Sequence, residues 1–272
     1  MSSTPKPATS RQPEQQSAAT QGYHTIAPYI IVPRAGEFIE FLKTAFAGTE
    51  RFRVPREAGS EFIMHAEVAI GNSIVELADA NEQFPAAPAA IHLYMDNADS
   101  VFARAIDAGA TSIYEVGDHV SGDRQGAVRD AFGNLWYIAM IQGWTPGLEG
   151  VPSVQPYLHL SNSEKMIPFL ENAFGGVVQG HVPTSPEGHV LHATVQIGDN
   201  TLELDEAHGE FQPMPCHLHL HVDDADAMYA RALRAGATSI DAPSDKPYGR
   251  SGGVKDPFGN SWYMTSPLQP KT

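Results

Sequence analysis

Apolar residues recur along the first half of the chain with two different periods, and the order of those periods repeats. Period-two alternation and β-branched runs predict strands over 26–32, 51–55, 62–70 and 73–78 and then over 91–95, 112–116, 126–129 and 135–140. The 3.6-residue spacing predicts helices over 35–47 and 98–108, which end at Gly48 and Gly109. Each set reads strand, helix and three strands, so the first half is predicted to contain two βαβββ units.

The second half of the chain repeats the first. The clearest matching pairs are Pro28-Tyr29 with Pro156-Tyr157, Val75-Glu76-Leu77 with Leu202-Glu203-Leu204, and Phe132-Gly133-Asn134 with Phe258-Gly259-Asn260. The spacing between the copies falls only from 128 residues (28 to 156) to 126 (136 to 262), so the register is kept throughout. Two tandem copies therefore predict four βαβββ units and an α+β fold class.

Composition divides the chain further. Residues 1–22 carry no large apolar side chain except Met1 and are expected to form a disordered tail. The predicted domains are 23–142 and 153–266, separated by a Gly/Pro-rich linker over 143–152 and followed by a short tail over 267–272. Because the tandem repeat brings together what a dimer would, a monomer is expected.

The net charge of the chain restricts the classes of molecule that it is expected to bind. Seventeen Lys and Arg against 32 Asp and Glu give a net charge of −15, which repels phosphate backbones and anionic membranes. We therefore expect a small-molecule ligand and neither nucleic acid nor membrane. The single cysteine, Cys216, excludes an internal disulfide and a Cys-cluster metal site. Without an apolar segment typical of a signal peptide or a membrane span, the predicted location is cytoplasmic.

Candidate chemistry is concentrated in the second copy. Since side chains alternate across a strand, His217, His219 and His221 share one face, and the leucines between them share the other. Gln155 and His159 share a face in the same way, as do Glu203 and its polar neighbours on alternate positions. A surface of imidazole, carboxamide and carboxylate groups suits Zn, Ni, Mn or Fe.

The element order and the segments GDRQGAVRDAFGNLWY and YGRSGGVKDPFGNSWY resemble those of the vicinal oxygen chelate superfamily. This superfamily includes glyoxalases, bleomycin-resistance proteins and extradiol dioxygenases. The resemblance implies two glyoxalase-like domains with cupped mixed sheets, in which four strands project metal ligands inward. The matching positions are Ala27, Glu76, Ala90 and Tyr137 in the first copy and Gln155, Glu203, His217 and Tyr263 in the second.

The resemblance therefore favours a metal site in the second copy, where Gln155, Glu203 and His217 would hold the ion. It implies a divalent-metal-dependent lyase or isomerase that acts on a small oxygenated metabolite. The remaining roles are expected as follows: proton transfer by Glu203 or His219, a hydrogen bond or a proton from Tyr263, and substrate contacts from His159, His192, His221 and Arg250.

Other interpretations stay open at this point. A metal-free protein that binds a drug or metabolite between aromatic walls is the main alternative, and an enzyme that uses the histidines without metal is a third. Glu76 could pair with an arginine or a tyrosine, and Arg250 could form a salt bridge to Asp256. The units could pair within each copy, or the first could pair with the fourth, which would separate His217 from Gln155 and Glu203.

Overall fold

The computed structural model describes residues 23–119, 122–141 and 152–268. The predicted tail over 1–22, the predicted linker except for Pro152, and the last four residues of the predicted C-terminal tail lie outside the described residues. The described part contains sixteen strands and four α-helices in the predicted order of four βαβββ units. The α+β fold class with two mixed sheets is thus confirmed.

The first copy supplies units one and two. Unit one consists of β1 (Ile26–Val32), α1 (Ala35–Phe46), β2 (Thr49–Pro55), β3 (Ile63–Ile70) and β4 (Ser73–Asp79). Unit two consists of β5 (Ala90–Tyr94), α2 (Ala98–Asp107), β6 (Thr111–Asp118), β7 (Asp123–Arg129) and β8 (Leu135–Ile141).

The second copy supplies units three and four. Unit three consists of β9 (Val154–Leu160), α3 (Met166–Phe174), β10 (Val177–Gln179), β11 (Ala193–Ile197) and β12 (Asn200–Glu206). Unit four consists of β13 (His217–His221), α4 (Ala225–Arg234), β14 (Thr238–Lys246), β15 (Gly249–Lys255) and β16 (Ser261–Ser266).

The four units pair between the copies. One sheet has the order β14-β15-β16-β13-β1-β4-β3-β2, and the other has the order β10-β11-β12-β9-β5-β8-β7-β6. Each sheet therefore joins one unit of each copy through a central antiparallel pair. Tyr29 of β1 stands opposite His217 of β13, and His92 of β5 stands opposite Gln155 of β9.

The helices, by contrast, pack within a copy. α1 packs against α2, and α3 packs against α4. In the first copy the rings of Phe46 and Trp136 are 4.5 Å apart, and in the second copy Phe174 and Trp262 are separated by the same distance. Both tryptophans are completely buried. Each pair of packed helices comes from one copy, whereas each sheet combines strands of both copies. The two copies therefore form one continuous core.

The end of α1 differs from the prediction. The helix ends before Ala47, which itself adopts the left-handed conformation with a φ of 55°. The equivalent residue after α3 is Gly175, with a φ of 72°. Gly48 is needed for a different reason, because a Cβ there would lie 2.7 Å from Val68 Cγ1. Gly48 thus permits close packing between α1 and β3, whereas Ala47 adopts the left-handed conformation that ends the helix.

This pairing predicts how the first copy behaves by itself. A chain of residues 1–146 lacks β13 and β9, the strands that pair with β1 and β5 in the centre of the two sheets. One edge of β1 and one edge of β5 would then be exposed, and half of each sheet would be missing. We expect it to self-associate so that a second molecule supplies the missing halves, or else to unfold. Light scattering after gel filtration, combined with circular dichroism, measures this. A folded monomer at micromolar concentration would contradict the pairing between copies.

Candidate functional site

Each sheet has one face under the helices and one face lined by polar and aromatic side chains. On β13, Leu218 and Leu220 are buried in the core, whereas the three histidines between and beside them are half-buried on the opposite face. We call the polar face of the sheet formed by β1–β4 and β13–β16 the first cup. The polar face of the sheet formed by β5–β8 and β9–β12 is the second cup.

The predicted metal site is wrong as a single set of ligands. His217 lies on β13 in the first cup, whereas Gln155 on β9 and Glu203 on β12 lie in the second cup. The reason is that the units pair between the copies. The family-type positions that come together are Ala27, Glu76, His217 and Tyr263 in the first cup and Ala90, Gln155, Glu203 and Tyr137 in the second. In neither cup do these four positions supply a full set of metal ligands, because each set includes an alanine and a phenol.

The first cup nevertheless holds a compact imidazole–carboxylate cluster. Glu76 is only 1% exposed, and its two carboxylate oxygens contact two histidines of β13. His219 Nδ1 lies 2.7 Å from Glu76 Oε2, and His221 Nε2 lies 2.9 Å from Oε1. One donor atom from each residue lies within 4.8 Å of the others, which is close enough for all three to bind one ion. The partners of Glu76 are thus histidines of the other copy rather than an arginine or a tyrosine.

The protonation states in this cluster follow from burial and proximity. Burial would raise the pKa of Glu76, but the charge and hydrogen bonds of His219 and His221 outweigh it and hold that pKa well below its usual value. Burial would lower the pKa of His219, yet Glu76 raises it overall. The pKa of His221 is lowered overall by burial and by the charge of His219. Within the cluster, Glu76 is therefore held in its ionised form, and the charged form of the imidazole is favoured at His219 and disfavoured at His221.

Aromatic and acidic side chains surround this cluster. Tyr23 donates a hydrogen bond to the buried Glu67, and its ring lies 4.3 Å from that of His221. The Tyr29 hydroxyl lies 3.2 Å from His65 Nδ1.

Tyr263 lies in the same cup, with its ring 6.4 Å from that of Tyr29 and 6.2 Å from that of His217. Burial raises the pKa of Tyr263, so this phenol stays neutral and can donate a hydrogen bond. Burial and the nearby charge of Lys255 lower the pKa of His217 to about 4, so its imidazole is neutral as well. Of the predicted site residues, Tyr263, His219 and His221 therefore lie in the same cup.

The second cup contains Glu203. His92 Nδ1 lies 2.8 and 2.9 Å from the two Glu203 oxygens, and the Tyr94 hydroxyl donates to the same carboxylate at 3.2 Å. Burial would raise the pKa of Glu203, but His92 lowers it overall, so this carboxylate is ionised. Because Glu203 and His219 lie in different cups, they cannot move a proton on the same substrate molecule.

A second imidazole–carboxylate pair lies in the same cup. His159 Nδ1 is 2.7 Å from Asp205 Oδ1, and the Tyr137 hydroxyl is 2.8 Å from His159 Nε2. The Tyr157 hydroxyl donates to Asp205 at 3.2 Å and lies 3.4 Å from His192 Nδ1 at the edge of the cup. Of the predicted substrate contacts, His159 and His192 therefore share the second cup, and His221 lies in the first.

Arg250 does not face either cup. Its guanidinium pairs with Asp226 at the start of α4 and lies 2.9 Å from Asp245. It therefore lies on the helix side of the sheet, and the predicted substrate contact and the salt bridge to Asp256 are both wrong. Asp256 instead holds its own turn, where it accepts hydrogen bonds from two backbone amides, from the Asn260 amide and from the Trp262 indole.

Several residues that the structure brings into the cups have no predicted site role. These are Tyr23, Glu67, Glu76, His92 and Asp205. The repeat contained a signal for one of them, since Glu76 occupies the position of Glu203 in the other copy. Asp205 meets His159 within unit three, whereas His92 acquires its partner through pairing between copies and Glu67 through Tyr23, which precedes β1.

Comparison with known families agrees with this architecture. The model of the Glyoxalase/Bleomycin resistance protein/Dioxygenase superfamily matches residues 22–138 and 158–264. These two segments make up most of the chain and follow the two copies. The chain therefore belongs to this superfamily.

Individual proteins and solved structures are also similar to this chain. The uncharacterized protein Rv0887c of Mycobacterium tuberculosis is 34% identical over 140 residues, which cover 47% of this chain and 82% of that protein. Glyoxalase I from Zea mays has a TM-score of 0.68 at 16% identity, covering 89% of this chain and 92% of that one. A putative dioxygenase from Bacillus subtilis has a TM-score of 0.59 at 13% identity, with coverage of 88% and 84%. At these identities, the structural matches establish the fold alone.

No helix in the described ranges has both the length and the apolar character needed to cross a bilayer.

The different roles of Asp256, which holds its own turn, and Asp226, which pairs with Arg250, can be tested by substitution. Asp256→Ala removes the acceptor of the buried Trp262 indole N–H and of three further donors, so we expect the free energy of unfolding to fall by about 2–4 kcal/mol. Urea denaturation followed by tryptophan fluorescence measures the change. Asp226→Ala removes only the half-exposed partner of Arg250 and serves as the control, with little expected change. Equal losses in the two variants would contradict the roles assigned here.

Proposed function

We propose that the chain is a divalent-metal-dependent lyase or isomerase of the glyoxalase type, which acts on a small oxygenated metabolite in the first cup. The observation that carries the proposal is the contact of both Glu76 oxygens with His219 and His221. Two imidazoles and one carboxylate form a donor set that suits Zn, Fe, Mn or Ni. The three residues fit an ion even though Ala27 and Tyr263 replace usual ligands.

The residues of the first cup have complementary tasks in this proposal. Glu76, His219 and His221 would hold the ion, which supplies Lewis-acid polarisation of neighbouring substrate oxygens when bound. Tyr263 donates a hydrogen bond to a substrate oxygen from its neutral phenol. Glu67 accepts the hydrogen bond of the Tyr23 hydroxyl and so holds the Tyr23 ring beside His221.

A metal-free binding protein is the second candidate. It is favoured by Ala27 and Tyr263 at family-type ligand positions and by the aromatic rings of Tyr23 and Tyr29 around the same cup. Such a protein would keep its affinity for a ligand after treatment with a chelator.

The expected monomeric state and the cytoplasmic location stay predictions.

Metal content tests the proposal. Protein purified without chelator and without a metal-affinity tag should contain close to one equivalent of Zn, Ni, Mn or Fe, measured by inductively coupled plasma mass spectrometry. Glu76→Gln and His221→Ala should lose most of this metal, because each removes one of the three donors in the cluster. Chelation should also abolish turnover of 2-oxoaldehyde adducts, the first substrates to screen.

Glu203→Gln is the matched control, because it makes the same change at the repeat position in the second cup. It should retain the metal. Absence of metal from the wild type, even after reconstitution, would overturn the proposal and favour the binding protein. Loss of metal in Glu203→Gln but not in Glu76→Gln would place the ion in the second cup and contradict the proposal.

A further inference from the structure

Three side chains with metal-binding atoms meet outside both cups, on the helix side of β12. Glu206 ends β12 on the opposite face from Asp205, which lines the second cup. Glu164 belongs to a short 3-10 turn (Ser163–Lys165) before α3, and His189 lies in the segment between β10 and β11. One donor atom from each of the three lies within 4.8 Å of the others. We call these three residues the peripheral cluster.

The distances in the peripheral cluster are longer than those of usual hydrogen bonds. His189 Nδ1 lies 3.4 Å from Glu164 Oε2 and 3.6 Å from Glu206 Oε2. Charge-assisted hydrogen bonds between such groups are usually about 2.7–2.9 Å long. Around a tetrahedral zinc ion with bonds of about 2.0–2.1 Å, neighbouring donor atoms lie roughly 3.3–3.4 Å apart. An ion between the three donors would therefore need little movement of the side chains.

The charges of the peripheral cluster favour a cation. Burial would raise the pKa of Glu206, but hydrogen bonds from Ser163 and Asn162 and the nearby His189 lower it overall, so this carboxylate is ionised. Glu164 adds a second carboxylate. Among the described residues, the ion-pair partner of both carboxylates is His189 alone. A proton on that imidazole offsets at most one carboxylate charge, whereas a divalent ion offsets two.

The first copy holds the same region together with hydrogen bonds of its own. Its equivalent positions are Gly36, Phe62 and Asp79. The two Asp79 oxygens accept hydrogen bonds from the backbone amides of Ala35 and Ile63, at 2.8 and 2.6 Å. Arg56 donates from its guanidinium to the Asp79 carbonyl oxygen and lies 5.6 Å from the Phe62 ring. The second copy has Pro183 and Thr184 where this arginine would fall, so it lacks that contact.

The corresponding hairpin is also less regular in the second copy. β2 and β3 are seven and eight residues long, whereas β10 and β11 have three and five. Residues 180–192, between β10 and β11, contain an isolated bridge from Thr184 to Val190, next to His189. An ion held by His189 would fasten this segment to ordered elements in place of the shortened pairing and the missing arginine.

We propose that Glu164, His189 and Glu206 form a second divalent-metal site, of the zinc type, which fastens residues 180–192 to the start of α3 and to the end of β12. One imidazole and two carboxylates suit zinc, and the exposed side leaves a position for water. The site is structural and does not depend on the ion proposed for the first cup. Because its side chains are between 22% and 41% exposed, this ion exchanges during purification, and zinc has to be added back for the test.

Zinc binding to the full chain tests the proposal. In equilibrium dialysis against micromolar zinc, the wild type should bind one equivalent more than His189→Phe or Glu164→Gln, measured by inductively coupled plasma mass spectrometry. The first variant introduces the residue of the first copy, and the second removes one charge at constant size. Each should weaken zinc binding at this site at least about tenfold. Equal zinc content in the wild type and both variants would overturn the proposal.

His181→Asn is the matched control, because His181 is an exposed histidine of the same segment outside the peripheral cluster. It should bind as much zinc as the wild type. Glu76→Gln should lose the ion of the first cup and keep the added equivalent, so failure of the proposed function would leave this result unchanged. Loss of the added equivalent in His181→Asn or Glu76→Gln, with retention in His189→Phe, would contradict the assigned ligands.

Hydrogen exchange locates the ion and keeps the test decisive if a variant fails to fold. Zinc should slow amide exchange in peptides covering residues 182–192 of the wild type, because the ion ties this segment to two ordered elements. Exchange in the same segment of His189→Phe should not respond to zinc. Unchanged exchange in the wild-type segment at saturating zinc would overturn the proposal.

Discussion

Buried carboxylates that need partners from the other copy are the constraint on which both cups depend. Glu76 and Glu203 are each almost inaccessible to water, and an isolated carboxylate in such a place would be costly. Each is stabilised by imidazole from a different copy of the repeat, His219 and His221 for Glu76 and His92 for Glu203. The central β1–β13 and β5–β9 pairs bring these groups together, so pairing between copies and the chemistry of the cups cannot be separated.

The same pairing explains why the cups differ although the copies match. In the first cup, a glutamate of the first copy meets a strand of the second copy that has three histidines on one face. In the second cup, a glutamate of the second copy meets a first-copy strand whose cup-facing residues are Ala90, His92 and Tyr94. One cup therefore has three donors around one point, whereas the other has two separate imidazole–carboxylate pairs and aromatic walls. The two copies of the repeat therefore form two cups with different side-chain chemistry.

Outside the cups, the repeat is used for stability in the same way twice. Asp130 and Asp256 each hold a turn and a buried tryptophan indole, with both indole bonds at 2.9 Å. Arg124 and Arg250 each pair with aspartates on the helix side, including Asp99 and Asp226 in the first turns of α2 and α4. These positions recur in both copies and hold turns and helix ends, so recurrence between copies does not by itself mark a catalytic residue.

The sequence by itself determined the four βαβββ units, the superfamily and the side chains that face the cups. Periodicity and the repeat carry this information because they depend on contacts close along the chain, such as the alternation of His217 and Leu218. Only the tertiary structure decided which units share a sheet. Both pairings satisfy the same local patterns and bury the same apolar faces, so nothing within one unit distinguishes them. That choice separated His217 from Glu203 and brought Glu76 to His219.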